Sequence, residues 1–303
     1  MSSIEVPERA ILAFEKTHGL VVTIHDFRGS LAPFIRGDRY KHQNALCRCV
    51  KEAGGEWNCI NFEVIKMRAT IHQYPGGRYH VCHAGLVEWM IPVYDGLELA
   101  WVIFAGARMP GPGLGDVHRE KLTRWKTSPW NEKVPLPPPV DREEADLLLE
   151  SLAQLAARLQ AWVQEGRRPA SRKATPLAPL VERPDLQRRT RIRRFIESNH
   201  AGPVRLRDLA RELGVSEDRA THLVRECCGQ TFRDMLIETR LNTAKELLRV
   251  SSLPILQVAL SSGFPEVSHF NRLFRLNAGL TPGQYRRGQL KLVEGVATTP
   301  PSG

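Results

Sequence analysis

The periodicity of hydrophobic and polar positions differs between the first and second parts of the chain. Short apolar or alternating stretches in the first half predict β-strands at 20–26, 78–82, 87–94 and 97–106. Spacings of three and four residues predict helices around them, at 7–18, 38–51 and 58–73. The dipeptide Asp95-Gly96 separates the last two strands and is typical of a tight hairpin turn. From Gln187 to Tyr285 only the helical rhythm remains, so the sequence predicts an α+β domain followed by an all-α domain.

Proline and glycine indicate where these parts separate. The stretch 135–139 reads P-L-P-P-P, which excludes a helix or a central strand. Four prolines and no periodicity in 166–184 are typical of a linker. We therefore predict five segments: a sensory-size domain at 1–140, a helix at 141–165, a linker at 166–184, a helical domain at 185–289 and a tail at 290–303.

The helix predicted at 141–165 has an apolar seam with alternating spacings of four and three residues. Its members are Leu148, Leu152, Leu155, Leu159 and Trp162. This spacing is that of a short coiled coil, and it predicts a homodimer in which the helix pairs with its counterpart and transmits a signal. The alternative is an amphipathic helix that docks on its own domain.

Charge is unevenly distributed and points to a polyanionic partner. The chain has a net charge of +10, of which 185–289 carries +7 and the linker at 166–184 carries +4, whereas 1–165 carries −1. A basic excess confined to one domain is typical of proteins that bind nucleic acid. Double-stranded DNA is therefore the partner expected for the helical domain.

Several classes of protein are excluded or disfavoured. No apolar run is long enough for a membrane span, and the first residues lack the pattern of a secretory signal. Six cysteines without an export signal argue against a disulfide framework, so we expect a cytoplasmic protein. No Ser-His-Asp set, P-loop or dinucleotide motif is found, and an enzyme is not expected. A cysteine enzyme that carries a DNA-binding domain is a remote alternative, because the neighbours Cys82 and His83 would face opposite sides of a strand.

The helical domain contains an internal repeat of about 50 residues. The pattern of Leu206, Leu209, Ala210 and Gly214 recurs as Ile255, Val258, Ala259 and Gly263. Each copy reads as helix, glycine turn and helix, and Ser216 is placed to cap the second helix of the first copy. The helix predicted between the copies, 231–250, would span about 30 Å, close to the roughly 34 Å of one DNA turn. Two recognition helices could therefore enter successive major grooves.

Four stretches of this domain resemble the DNA-binding domain of AraC/XylS-type transcriptional regulators. They are L-A-R-E-L-G-V-S at 209–216, R-L-N-T-A-K-E-L-L at 240–248, 263–275 and 279–286. The resemblance implies a seven-helix domain with two helix-turn-helix motifs that binds DNA and regulates transcription. RNA polymerase is the expected protein partner, and activation is the working expectation, with repression left open.

The resemblance also implies which side chains meet DNA. On the second recognition helix these are Val267, Ser268, Asn271 and Arg272. Arginine suits guanine and asparagine suits adenine, although a phosphate or salt-bridge role for Arg272 is an alternative.

The first recognition helix departs from the family pattern. Its candidate contacts are Thr221, His222 and Arg225. The carboxylates of Glu217 and Asp218 stand beside them and would repel phosphates, so we expect the second helix to dominate sequence readout.

In the first domain, residues 82–93 (C-H-A-G-L-V-E-W-M-I-P-V), together with Leu46-Cys47-Arg48, resemble the PocR-type sensory domain. The resemblance implies a PAS/GAF-like fold that binds a small organic effector, such as a simple hydrocarbon derivative. The pocket candidates are Cys82, His83, Trp89, Trp101 and Phe104.

The cysteines of this domain allow a second hypothesis. Four thiols, those of Cys47, Cys49, Cys59 and Cys82, could hold one Zn²⁺ ion or a cluster, with His83 as the alternative to Cys49. The protein would then be a thiol or metal redox sensor that acts through the same DNA-binding domain. Buried thiols without a metal are the alternative, because the spacing is not a standard zinc pattern.

Overall fold

The computed structural model describes residues 5–123, 134–166 and 184–288. These residues form two compact units. The first holds 5–64, 73–123 and 134–166, and the second holds 65–72 and 184–287. Nearly all of the predicted linker and the whole predicted tail lie outside the described residues. The segment 65–72 belongs to the helical unit, and the helix predicted as a separate segment at 141–165 belongs to the first unit.

The first unit is built on an antiparallel sheet. Its main strands are β1 (Val21–Asp26), β2 (Arg78–Val81), β3 (Val87–Asp95) and β4 (Glu98–Pro110). They lie in the order β1-β4-β3-β2, and the short β5 (Pro139–Val140) pairs with β4 in parallel. The four strands predicted from the hydrophobic pattern are confirmed, as is the hairpin, where Gly96 takes a φ of 63°.

Pairing registers decide which side chains share a face of this sheet. Phe104 on β4 lies opposite Thr23 on β1 and Met90 on β3. Because side chains alternate along a strand, Trp101 belongs to the other face of β4, as does Trp89 on β3. This parity decides which residues of the sheet border the cavity described below.

Helices surround the sheet, and one helical run differs from the prediction. After α1 (Val6–His18), the run contains α2 (Ala45–Val50), α3 (Glu56–Ile60) and α4 (Met67–Thr70), joined by wider π-turns. The helix predicted at 38–51 begins only at Ala45, because Asn44 caps it by accepting a hydrogen bond from the Leu46 amide at 2.9 Å.

The helix α5 (Arg142–Gly166) packs on β3 within the first unit. Its leucine seam is buried, with Leu152 and Leu159 at most 1% exposed. The indole Nε1 of Trp89 donates to the carbonyl of Ala145 at 2.8 Å, and the ring of Trp162 packs against Phe34 with centroids 4.6 Å apart. The prediction that this seam pairs two chains is therefore wrong, because the chain's own sheet already covers it.

The second unit is helical, as predicted. It comprises α4, α6 (Pro184–Asn199), α7 (Leu206–Leu213), α8 (Glu217–Cys228), α9 (Phe232–Val250), α10 (Ile255–Ser261), α11 (Val267–Ala278) and a last helix, α12, at 282–288. One core cluster joins α6 to α9 through Ile192, Ile196, Leu209, Val224, Met235 and Leu236.

The predicted turn residues act as the repeat requires. Gly214 ends α7 with a φ of 69°, and Gly263 follows α10 with a φ of 91°. Ser216 caps α8 by accepting a hydrogen bond from the Arg219 amide at 3.2 Å. The helix-turn-helix repeat is thus confirmed in the fold.

Candidate nucleic-acid interface and ligand cavity

The second recognition helix, α11, presents a continuous polar face. Ser268, Asn271, Arg272 and Arg275 are all exposed, whereas Phe270 and Phe274 are fully buried on the opposite side. The exposed positions follow one another by three, one and three residues, which places them on one side of a helix. Neither arginine of this face forms an ion pair within the described residues, so both cations are available to an external anion.

Aromatic packing fixes the orientation of α11. Phe264 lies 5.2 Å from Phe270 between ring centroids, and Phe274 packs against Phe270 and Tyr285 at 5.5 Å each. His269 packs edge-on to Phe264, with ring centroids 6.3 Å apart. Val267 is half-buried beside this cluster. Four of the predicted contacts therefore stand on a rigid helix, with Val267 the least accessible.

The first recognition helix, α8, presents a more acidic face. His222 and Arg225 are exposed, and Thr221 is half-buried with its hydroxyl donated to the carbonyl of Glu217 at 3.0 Å. The carboxylate of Asp218 lies 3.9 Å from His222 Nε2 and is almost fully exposed. Phosphates approaching this face would meet negative charge first, as the sequence predicts.

The helix α9 joins the two motifs. Its 19 residues span about 28 Å at roughly 1.5 Å per residue, close to the predicted length. Thr231 caps its start by accepting a hydrogen bond from the Asp234 amide at 3.1 Å.

A buried polar network links α4, α6 and α9 inside the second unit. The guanidinium of Arg68 donates to the hydroxyl of Thr243 at 2.8 Å, and that hydroxyl donates to His200 Nε2 at 2.8 Å. His200 Nδ1 donates in turn to the carbonyl of Glu197 at 2.8 Å. Burial lowers the pKa of His200 to about 3, which keeps the ring neutral and fixes this direction of donation.

The first unit encloses a cavity of about 30 Å³ on the Phe104 face of the sheet. Residues that border it include the predicted Cys82, His83 and Phe104, together with Val50, Phe62 and Leu86. Its surface is mostly apolar with a few polar side chains, which is the make-up of a small-molecule site. The predictions of Trp89 and Trp101 as pocket residues are wrong, because both are fully buried on the opposite face of the sheet.

Four buried polar residues at this cavity or beside it were missed by the sequence analysis: His25, His42, Glu63 and Glu88. His25 Nε2 lies 3.2 Å from Glu63 Oε2. His42 Nε2 lies 3.5 Å from Glu63 Oε1 and 3.3 Å from Glu88 Oε1, yet makes no hydrogen bond within the described residues. The signal was available for Glu88, which interrupts an apolar strand on the same face as Met90.

Opposite protonation states are expected for the two carboxyl groups. Burial alone would raise the pKa of Glu63, but the charge of His42 and the hydrogen bond from His25 outweigh it and hold the pKa low. Burial and the neighbouring Glu63 carboxylate raise the pKa of Glu88 well above its usual range. Burial lowers the pKa of His42 to about 4. Near neutral pH Glu63 is therefore a carboxylate, Glu88 a carboxylic acid and His42 a neutral imidazole.

The thiols of the first unit are poorly suited to redox chemistry. Burial raises the pKa of Cys47 and Cys59, and it raises that of Cys82 to about 12, so the reactive thiolate form of each is disfavoured. Cys49 is buried and is not among the residues that border the cavity. The described residues contain no group of three or more His, Cys, Asp or Glu arranged to hold a metal ion, which argues against the metal set predicted from the cysteines.

His83 meets a different cysteine from the one beside it in sequence. Its Nε2 lies 3.1 Å from Cys59 Sγ, and its Nδ1 lies 2.9 Å from Thr123 Oγ1. All six cysteines lie within the described residues, and none forms a disulfide. The raised pKa of Cys59 argues against a nucleophilic role for this pair.

Within the described residues, none of the helices combines the length and apolar character needed to cross a membrane.

Comparison with known proteins identifies the second unit. Residues 209–288 match a family model described as a helix-turn-helix domain. The chain is 38% identical over 120 residues to the transcriptional activator NphR of Rhodococcus sp.. The matched residues make up 39% of this chain and 35% of that protein. It is 29% identical over 99 residues to the transcriptional regulator ExsA of Pseudomonas aeruginosa, covering 33% of this chain and 36% of that protein.

One solved structure is also similar to this chain. It is a transcriptional regulator from Chromobacterium violaceum with an AraC-type DNA-binding domain, 29% identical, covering 34% of this chain and 92% of that one at a TM-score of 0.33. The chain spans about a third of the length of the curated relatives named above. The second unit thus contains a region that matches a helix-turn-helix domain, and these relatives are named as a transcriptional activator and a transcriptional regulator.

Proposed function

We propose that the protein is a DNA-binding transcriptional regulator whose first unit senses a small organic molecule. One observation carries the proposal: the helix-turn-helix domain presents Asn271 and two arginines on the exposed face of its second recognition helix, and neither arginine forms an ion pair with any residue that the structure describes. Side chains of these types recognise base edges in the major groove. The basic charge of 185–289 supports binding to the phosphates as well.

Replacing Arg272 tests the direct contact. In the full-length protein, Arg272→Ala is expected to weaken binding to a selected DNA site by about 1–3 kcal/mol and to relax specificity at one base pair. The matched control is Arg158→Ala, which removes the same charge from the exposed surface of α5. Affinities on selected and random duplexes, measured by fluorescence anisotropy, decide the role. An equal loss on both duplexes would show that Arg272 contacts phosphate instead.

The two recognition helices are expected to contribute unequally. Substituting Asn271 should change the preferred sequence more than substituting His222, because Glu217 and Asp218 weaken the approach of α8 to DNA. Selection of binding sites from a random library, carried out with each full-length variant, measures this ranking. The opposite ranking would contradict the asymmetry.

For the first unit we propose a sensory role of the PocR type, with a PAS/GAF-like sheet. Support comes from the cavity, whose lining includes Cys82 and His83 from the segment that carries the resemblance.

Activation through RNA polymerase is proposed by analogy with the relative named as an activator. The leucine seam of α5 gives no support to a homodimer, and one chain already carries two recognition helices. The raised pKa values of the thiols do not favour the redox alternative.

A further inference from the structure

The polar end of the cavity brings three hydrogen-bond acceptors together. Glu63 Oε1 and Glu88 Oε1 lie 3.5 Å and 3.3 Å from the same nitrogen, His42 Nε2. His42 is about nine-tenths buried, borders the cavity, and makes no hydrogen bond at this nitrogen within the described residues. An unpartnered buried polar atom between two carboxyl groups points to a missing donor.

We propose that this cavity binds a small primary amine in its protonated form, with the ammonium group between Glu63, Glu88 and His42. A primary ammonium has three N–H donors and no acceptor, which matches the three acceptor atoms. The short hydrocarbon part lies against Phe62 and Phe104, which also border the cavity. The inference names the ligand class of the sensory cavity proposed above and rests on that proposal.

Charge and size favour this class over its competitors. A small carboxylate would be repelled by the ionised Glu63, and an alcohol supplies a single donor for three acceptors. The protonated Glu88 keeps an acceptor oxygen, so it can accept a hydrogen bond from a bound cation. A cavity of about 30 Å³ has room for about one or two water molecules. The ligand is therefore limited to a few heavy atoms.

Lys51 provides a test of whether the bound ligand carries a positive charge. It is half-buried, and its charge lowers the pKa of both Glu63 and Glu88, so it lies close enough to repel a bound ammonium. Removing this charge should tighten the binding of an amine and leave the binding of an alcohol unchanged. A purely steric or apolar site would not respond in this way.

Three probes of similar size distinguish the ligand classes in the full-length protein. Calorimetric titration at neutral pH compares ethylammonium chloride, ethanol and potassium acetate at equal ionic strength. We expect saturable binding of ethylammonium, binding of ethanol at least about tenfold weaker, and no binding of acetate. Equal or tighter binding of ethanol, or no binding of any probe, would overturn the proposal.

Variants assign the effect to the named residues. Glu63→Gln is expected to weaken ethylammonium binding by about 10- to 100-fold, whereas the control Glu52→Gln, on the exposed side of the same helical run, should change it by less than about twofold. Lys51→Gln, at a half-buried position, should tighten the binding of ethylammonium by about two- to fivefold. This variant still tests the proposal if Glu63→Gln fails to fold. Unchanged or weaker amine binding in Lys51→Gln would contradict the proposed site.

DNA binding is measured separately, so that the two proposals can fail independently. Ethylammonium that binds with the expected variant pattern but does not change DNA affinity would leave the ligand class intact and refute the sensory role. A DNA response to ethanol that persists in Glu63→Gln would keep the sensory role and refute the amine.

Discussion

Gly263→Ala is expected to lower the free energy of unfolding of the helical unit by about 3–5 kcal/mol, one of the largest effects of a single methyl group in this chain. Gly263 has a φ of 91°, where an L side chain is strained. A Cβ at this position would also overlap the backbone carbonyl of His200 and lie 3.2 Å from Ala201 Cα. Neither backbone atom can rotate away, so the turn itself must shift.

The repeat supplies a matched control for this prediction. Gly214 occupies the corresponding turn with a φ of 69°, but a Cβ there would meet nothing within 4 Å. Gly214→Ala should therefore cost only the backbone strain of about 1–2 kcal/mol. Urea unfolding of both variants, followed by circular dichroism, compares the two. Similar losses in both would show that the close approach to His200 is absent in solution.

Arg68→Met is expected to destabilise the same unit by about 3–5 kcal/mol. The change removes the hydrogen bond that the hydroxyl of Thr243 accepts from Arg68. It also removes the positive charge near the carboxylates of Glu197 and Glu246. Thr243, Glu197 and Glu246 all lie in the interior or close to it. Removing one member of a buried charged network leaves the others without compensation.

Arg48→Met is the control, because Arg48 is exposed on α2 and should change stability by at most about 0.5 kcal/mol. The double variant Arg68→Met with Thr243→Val tests the contact itself, since the two losses should be less than additive. Strict additivity in the unfolding free energies would contradict a direct hydrogen bond.

Local signals explain what the sequence predicted well. Asp95-Gly96 specifies a hairpin through a turn that few other dipeptides adopt, and Gly214, Ser216 and Gly263 mark the ends of helices by backbone geometry and capping. These signals act within a few residues. Because the repeat presents them twice, the helix-turn-helix pair and the exposed face around Arg272 could be predicted with their residue numbers.

The errors arise where a decision depends on distant partners. Trp89 and Trp101 have the size and character of pocket residues, but only the pairing register shows that they lie on the other face of the sheet from Phe104. In the same way, the spacing of Leu152 and Leu159 defines an apolar helix face without specifying whether the chain's own sheet or a second chain covers it.

The polar end of the cavity illustrates the same limit. His42 and Glu63 come together from a loop and a helical run, and Glu88 from a strand, so no spacing in the sequence joins them. Burial then sets their protonation states, which makes the chemistry of the cavity a property of the fold and not of any motif.

The inclusion of 65–72 in the helical unit has a consequence for the order of events during synthesis. Arg68 and Thr243 are 175 residues apart in the chain. At a translation rate of about 5–20 residues per second, Arg68 leaves the ribosome roughly 10–35 seconds before Thr243. The DNA-binding unit therefore cannot complete its buried network as a nascent C-terminal fragment alone. The segment around Arg68 is made early, so on the ribosome its guanidinium must wait for Thr243 before this hydrogen bond can form.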